Sequence, residues 1–231
     1  AIEVIRGPAS ALYGSNAVHG TINVLLPEPG PRDLRLSGET GPERFVRGKL
    51  LVSSPGTTDK TGVAGGLLID HDSGFRDDSD YRQLKAFLKH SREFNNGQLG
   101  IGFSGNALNQ DTAGFLVGED TYKDEAIRRS NPNAGSYRDA NSQRLHARFQ
   151  PAANTADRGW DAHAFLRRSS MEFLQHFLPG EPVEKNGQAS GGLTLLHYTV
   201  LGGARVTAGL DIEIANGWLE EFQANPETGT P

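Results

Sequence analysis

Residues 98–106 read Gln-Leu-Gly-Ile-Gly-Phe-Ser-Gly-Asn, and the fold turns on how this stretch is read. Leu99, Ile101 and Phe103 fall on one side of an extended chain; Gly100, Gly102, Ser104 and Asn106 fall on the other. Successive side chains of a strand point to opposite faces, so an apolar residue at every second position marks a strand with one apolar face. On a helix the middle residue of that apolar trio would point away from its two companions. Just upstream, Asn95-Asn96-Gly97 reads as a tight hairpin turn, since Asn and Gly tolerate positive φ.

The same period recurs on both sides. Leu145, Ala147 and Phe149 oppose Arg144, His146 and Arg148. From Trp160 onward, Ala162, Ala164 and Leu166 oppose Asp161, His163, Phe165 and Arg167. Val206, Ala208, Leu210, Ile212 and Ile214 oppose Thr207, Gly209, Asp211 and Glu213. Weaker versions run through 45–53, 62–70, 82–91 and 189–200, with a short one through 34–40. That makes about nine strands, each near the ~9–11 residues a tilted membrane strand needs. Gly202-Gly203 reads as a second tight turn. The joins between strands are short at 41–44, 95–97 and 202–203, medium at 54–61 and 151–158, and long at 70–81, 107–142 and 170–188. Past the first join every second connection is the longer one. In an up-and-down barrel alternate connections share an end, so one end carries short turns and the other long loops, as in outer-membrane barrels.

Composition narrows the classes. Only 36% of the 231 residues are hydrophobic, against roughly 45–50% in ordinary globular chains. A net charge of −5 argues against nucleic acid, which calls for a basic face. There is no cysteine, hence no disulfide and no thiolate metal site. No run approaches the ~20 apolar residues of a membrane helix, a test that a membrane strand escapes. Alternation alone fits a soluble antiparallel protein as well as a barrel; the loop asymmetry fits the barrel.

The first 25 residues differ from the rest. Ile2-Glu3-Val4-Ile5 is β-like, "RGPASALY" suits one turn of helix, a small-residue patch follows, and Thr21-Ile22-Asn23-Val24-Leu25 is β-like again. Pro8 suits the first helical position, Gly14 the residue that stops a helix, and Gly20 a conformation closed to other residues. Read from the residues, Arg6 is a solvated strand-end charge. The Gly7–Gly14 stretch lacks the Gly-Lys-Ser/Thr of a phosphate loop and the Gly spacing of a dinucleotide fold. Ser10 is not flanked by glycines as a nucleophile elbow requires. Pro27-Glu28-Pro29-Gly30-Pro31 then makes an extended linker.

This opening stretch resembles the C-terminal end of the plug domain of TonB-dependent outer-membrane receptors. The matching residues are Arg6-Gly7-Pro8, Tyr13-Gly14, Ala17, Gly20 and Ile22-Asn23; the departures are His19-Gly20 in place of two glycines and Leu25-Leu26-Pro27 in place of Ile-Thr-Lys. The segments 114–144 and 163–188 resemble loop and strand segments of the same barrels. The resemblance implies an all-β fold: a partial transmembrane antiparallel barrel of about nine up-and-down strands, preceded by the end of a small α+β plug. It divides the chain into a plug end at 1–27, a Pro-rich linker at 28–33 and a barrel wall at 34–231. It implies active uptake of a scarce ligand, most often a ferric siderophore, across the bacterial outer membrane, with TonB as partner through a segment upstream and lipid around the barrel. It implies no cofactor and no covalent chemistry. Plug-to-barrel contact is carried over to Arg6, Gly7, Pro8, Tyr13, Gly14, Gly20 and Asn23, with Arg6 paired to an inward-facing barrel carboxylate. On this reading Ala1 is not the protein's true beginning.

Other candidates are weaker. His146 and His163 lie on the polar faces of adjacent strands, where a metal site or plain lumen polarity would fit. Asp70, Asp72, Asp77, Asp78 and Asp80 form an acidic loop that lacks the spacing of an EF-hand. Charged and aromatic residues of 107–142, among them Phe115, Tyr122 and Tyr137, suit a ligand-gathering surface. Trp160 and Trp218 lie near strand ends, where interfacial aromatic girdles form. Two rival functions stand beside the receptor: a soluble β-rich hydrolase using loop Asp and His residues, and a passive porin, which the plug-like segment opposes.

Overall fold

The computed structural model of the chain describes residues 2–7, 19–56, 61–152 and 158–223. Two sheets account for most of it. A hairpin pairs β1 (Ile2–Arg6) with β2 (Gly20–Val24). Nine further strands form one antiparallel sheet in strict sequence order: β3 (Asp33–Thr40), β4 (Val46–Pro55), β5 (Thr61–Asp72), β6 (Tyr81–Phe94), β7 (Gly97–Asp111), β8 (Tyr137–Pro151), β9 (Arg158–Leu174), β10 (Val183–Leu201) and β11 (Ala204–Phe222). The sheet is open: β3 and β11 each pair on one side among the described residues.

All nine expected strands are present, and most outrun their expected length. They grow from 8 residues in β3 to 19 in β10 and β11. The expected loop 107–142 shrinks to 112–136, and 170–188 shrinks to 175–182. In the extensions the apolar residues change sides, with Leu108, Ala140 and Met171 on the linker face against Asn109, Asp139 and Asn141 on the far face, so the alternation of the band does not run on into them. Backbone pairing along a neighbour that is already extended carries the ladder past the point where the apolar pattern stops. Connections at one end fall at 41–45, 73–80, 112–136 and 175–182; at the other end they fall at 56–60, 95–96, 152–157 and 202–203. The long-loop and short-turn ends are therefore real.

The tight turns differ from each other. Gly202 and Gly203 take φ of 58° and 83°. The Asn95-Asn96 turn, expected to use positive φ, does not: neither asparagine nor Gly97 lies in the left-handed region. Glycine at 97 answers a packing demand instead, since a Cβ there would lie 2.6 Å from Phe149 Cζ.

Residues opposite one another in an antiparallel ladder share a face, so the register sorts every strand residue. One face carries Arg47, Ser53, Ala64, Asp70, Lys89, Gly102, Arg144, His146, Phe165, Gly192 and Glu213. The linker that follows β2 lies against it, so it is named the linker face. The far face carries Leu36, Val52, Leu67, Leu88, Ile101, Phe103, Leu145, Leu166, Leu193, Leu210 and Ile214. Of these, Leu36 is 81% exposed and Ile214 75%. Among the described residues only Ala64 and Tyr198 are buried hydrophobics, and both lie on the linker face. This sheet thus has no apolar core, and its apolar side chains stand out in a continuous band. A water-soluble monomer rarely leaves more than a few hundred Å² of contiguous apolar surface bare, so this band calls for an apolar partner.

Candidate functional site

Three arrangements give the sheet its functional character: the seat of the linker, the polar wall of the linker face, and a cap of loops at the long-loop end.

The linker is held at three successive residues. Glu28 pairs with Lys89 of β6. Pro29 lies over Gly62 of β5, where an added Cβ would come within 2.5 Å of Pro29 Cβ. The Gly30 amide donates to Ser53 Oγ of β4 at 2.9 Å. Proline leaves this segment few donors of its own, so the wall supplies partners to the residues between prolines. The contacts cluster toward the short-turn end, near the starts of β5 and β7.

The linker-face wall is a set of charged ladders. Arg47 donates from Nε (3.0 Å) and Nη2 (2.8 Å) to a single oxygen of Asp70, and lies 3.8 Å from Glu39. Asp70 is only 3% exposed, and its other oxygen has no hydrogen-bond partner among the described residues. Further along, Arg148 pairs with Asp161 at 2.9 Å and Arg167 with Glu213 at 2.6 Å. The guanidiniums of Arg144 and Arg167 stand 5.3 and 5.5 Å from the Phe165 ring centroid. Large rings lie across glycines on neighbouring strands: Phe165 over Gly192, His146 over Gly102, Phe87 over Gly66. Each glycine gives its neighbour's ring room to lie flat against the wall.

The loop cap is knitted by backbone acceptors. Arg76 donates to the carbonyls of Ser130 and Gly114, joining loop 73–80 to loop 112–136. The Asp77 amide donates to Arg129 O at 2.7 Å, and the Ser73 amide to Glu43 O at 2.8 Å. Arg129 stacks on Phe75 at 4.7 Å and lies 3.7 Å from Glu43. Within the longer loop a 3₁₀ turn (Thr121–Lys123) leads to helix α1 (Glu125–Arg129). Asp124 caps that helix, accepting from the Ala126 and Ile127 amides. Phe115 and Tyr122 remain 69% and 62% exposed. At the base of the cap, beyond the apolar band, burial raises the Asp111 carboxyl above its ordinary range, and the charges of Asp80, Asp78 and Asp139 add to the effect.

The residues singled out in the sequence fall as follows. Arg6 ends β1 opposite Gly20, is exposed, and pairs with no carboxylate among the described residues. Gly7 has φ +94° and its amide donates to His19 O at 3.3 Å. Gly20 has φ +156°, and a Cβ there would meet Ile5 O at 2.7 Å, so only glycine closes this hairpin without strain. Asn23 pairs with Glu3 in the ladder. Pro8, Tyr13, Gly14 and Ala17 lie outside the described residues. Of the acidic group, Asp70 and Asp72 belong to β5 rather than to a loop, and only Asp77, Asp78 and Asp80 are loop residues; Asp72 accepts from the Gly74 amide at 2.7 Å. His146 and His163 are neighbours, with ring centroids 6.3 Å apart. Among the described residues no three metal-ligating side chains converge. Sequence reading missed the linker seat, the Glu39–Arg47–Asp70 ladder and the Arg76 cap. Each joins residues far apart in the chain, and no local pattern signals them.

No protein-family model matches the chain, and no curated protein matches it. Solved structures do. The ferric yersiniabactin uptake receptor FyuA from Yersinia pestis superposes with a TM-score of 0.73 at 20% identity, over 98% of this chain and 37% of that one. The fold is that of TonB-dependent outer-membrane receptors. The open form of the ferric-catecholate import receptor Fiu from E. coli K12 gives 0.71 at 16% identity, over 97% and 40%. The ferripyoverdine receptor of the Pseudomonas aeruginosa outer membrane gives 0.72 at 12%, over 96% and 33%. The chain spans about a third to two fifths of each receptor's length. The nine-stranded antiparallel sheet matches part of the barrel in this receptor fold.

Proposed function

We propose that this chain is the end of a plug and the adjoining wall of a TonB-dependent receptor that takes up a ferric siderophore across the bacterial outer membrane. One observation carries the reading. The far face of nine paired strands carries an apolar band with no protein core against it among the described residues, while the opposite face is a charged wall on which the linker rests. Lipid is the solvent that such a band requires, and a water-filled lumen suits the charged face. The structural neighbours are import receptors for ferric ligands, which supports the choice of cargo class.

On this reading the long-loop end faces outward and the cap of loops gathers ligand. The plug-end hairpin reaches the wall through the linker, whose three contacts fix where the plug is tethered. Arg6 and its motif neighbours at Gly7, Pro8, Tyr13, Gly14, Gly20 and Asn23 form the plug side of the plug–barrel contact. TonB would act from the short-turn side, through a segment preceding these residues. Transport requires no cofactor and breaks no covalent bond.

Uptake in cells tests this. A strain lacking the gene should lose energised accumulation of at least one radiolabelled ferric siderophore, and the full gene should restore it only while TonB is present. Unchanged accumulation of every ferric siderophore tried, or restoration without TonB, contradicts the proposal.

A further inference from the structure

Two adjacent rows of the far face meet in a sharp chemical step. The ladder aligns Phe103, Leu145, Leu166, Gly191 and Ile214 across β7 to β11. The next row toward the long-loop end aligns Gly105, Gln143, Arg168, Ala189 and Asn216. The first row is apolar; the second sets Gln143, Arg168 and Asn216 among the small residues Gly105 and Ala189. A furrow of about 580 Å³ runs along this step, lined by Phe103, Leu145, Leu166, Ile214 and Arg168. Its floor is Gly191: a Cβ there would lie 2.9 Å from Leu166 Cδ2, so the missing side chain is what opens the furrow between Leu166 and Ile214.

Arg168 stands at the head of the furrow. It is exposed, stacks 5.9 Å from the Trp218 ring, and forms no ion pair among the described residues. The other cation nearby on this face, Lys185, is engaged by Glu172 at 3.2 Å. A guanidinium held on an aromatic ring keeps its fork free for a planar or tetrahedral oxyanion, which it binds by two parallel charge-assisted bonds.

We propose that this furrow binds one phosphate-bearing lipid of the surrounding leaflet. An acyl chain lies over Gly191 between Leu166 and Ile214, and the phosphate meets Arg168 beside Trp218. The proposal rests on the reading that the far face sits in lipid. A bare inorganic anion would not use the apolar floor, and an uncharged lipid would not use Arg168; the adjoining rows call for both parts in one molecule.

The test uses the full-length receptor in detergent, with phosphatidylglycerol titrated in and retained lipid counted by native mass spectrometry. Arg168→Gln should lower retention about tenfold, the loss expected for one charge-assisted phosphate contact. Gly191→Leu, which fills the floor, should lower it similarly. Arg82→Gln, on the same face but away from the furrow, should not. Heat-modifiable migration on gels certifies that each variant is folded; should Gly191→Leu fail it, the two arginine variants decide. Equal retention by wild type, Arg168→Gln and Arg82→Gln overturns the proposal. So does complete displacement of lipid by millimolar inorganic phosphate, which would make Arg168 a free-anion site. A receptor that forms no detergent-soluble barrel at all contradicts the membrane reading itself, a separate failure.

Discussion

At the scale of the residue, the wall is shaped by where glycine stands beside a ring. Phe165 covers Gly192, where a Cβ would come within 2.5 Å of its Cε1 atom. Gly192→Val pushes that ring off the wall and disturbs the Arg144 and Arg167 stacks upon it. Overpacking of this kind costs about 1–3 kcal/mol, so the variant barrel should lose its heat-modifiable form at lower urea than wild type; an unchanged midpoint refutes the steric account. Lys89 makes a second residue-scale case. Lys89→Glu sets two carboxylates against each other at the linker seat and should expose the linker to protease, and the exchanged pair with Glu28→Lys should restore protection. The alternation that placed Phe165 on the polar face was legible in the sequence, as was the strand that carries Lys89. Their partners were not: Gly192 reaches Phe165 through the strand register and Glu28 reaches Lys89 through the seat of the linker, and no local pattern encodes either.

At the scale of the element, strands and loops were unequally legible. Strands such as β7 and β11 declared themselves because apolar residues must alternate wherever one face meets an apolar medium. The outer end of β7 did not, because past the band the apolar residues change sides, as Leu108 does opposite Ala140, and the alternation is broken there. The loop cap was illegible for a different reason. Arg76 reads as one charge among many until folding brings the Ser130 and Gly114 carbonyls to it. Arg76→Ala leaves those acceptors without this donor and should raise hydrogen exchange through 112–136 while β7 and β8 stay protected; unaltered exchange there refutes the cap. The cap also carries a pH dependence. Asp111 has its carboxyl raised, chiefly by burial. Its folded form thus holds the proton to higher pH than its unfolded form, whose value is near 3.9. Whatever stability the group gives is fully present below that value and is lost as pH climbs from there through the raised folded value. Exchange in 112–136, corrected for intrinsic rates, should therefore quicken across that interval in wild type and stay flat in Asp111→Asn.

At the scale of the whole molecule, the account makes the chain a piece of wall. Among the described residues, nine strands in sequence order leave β3 and β11 with unpaired edges, and lipid tolerates no open edge. Residues 1–231 alone should therefore refold in detergent to an aggregating, non-heat-modifiable species; a monodisperse heat-modifiable band would refute this. The plug-end motif was the most specific signal in the sequence, and its expected special conformation at Gly20 is present, with φ +156°. The spacing of the two tryptophans agrees with a membrane wall. Trp218 aligns with Ser170 through Gly187, so along β9 it stands ten residues from Trp160. Ten residues is about the ~9–11 that a tilted strand needs to cross a membrane, so the two rings stand toward opposite ends of the band.

The central claim is that the far face lies in lipid and the linker face in water. It is tested most directly by spin labels placed one at a time from 98 to 106 in the full-length protein reconstituted in bilayers. Labels at 99, 101 and 103 should collide preferentially with dissolved oxygen, and those at 100, 102 and 104 with an aqueous nickel chelate, in strict alternation. Uniform access of the chelate to all of these positions would contradict the account.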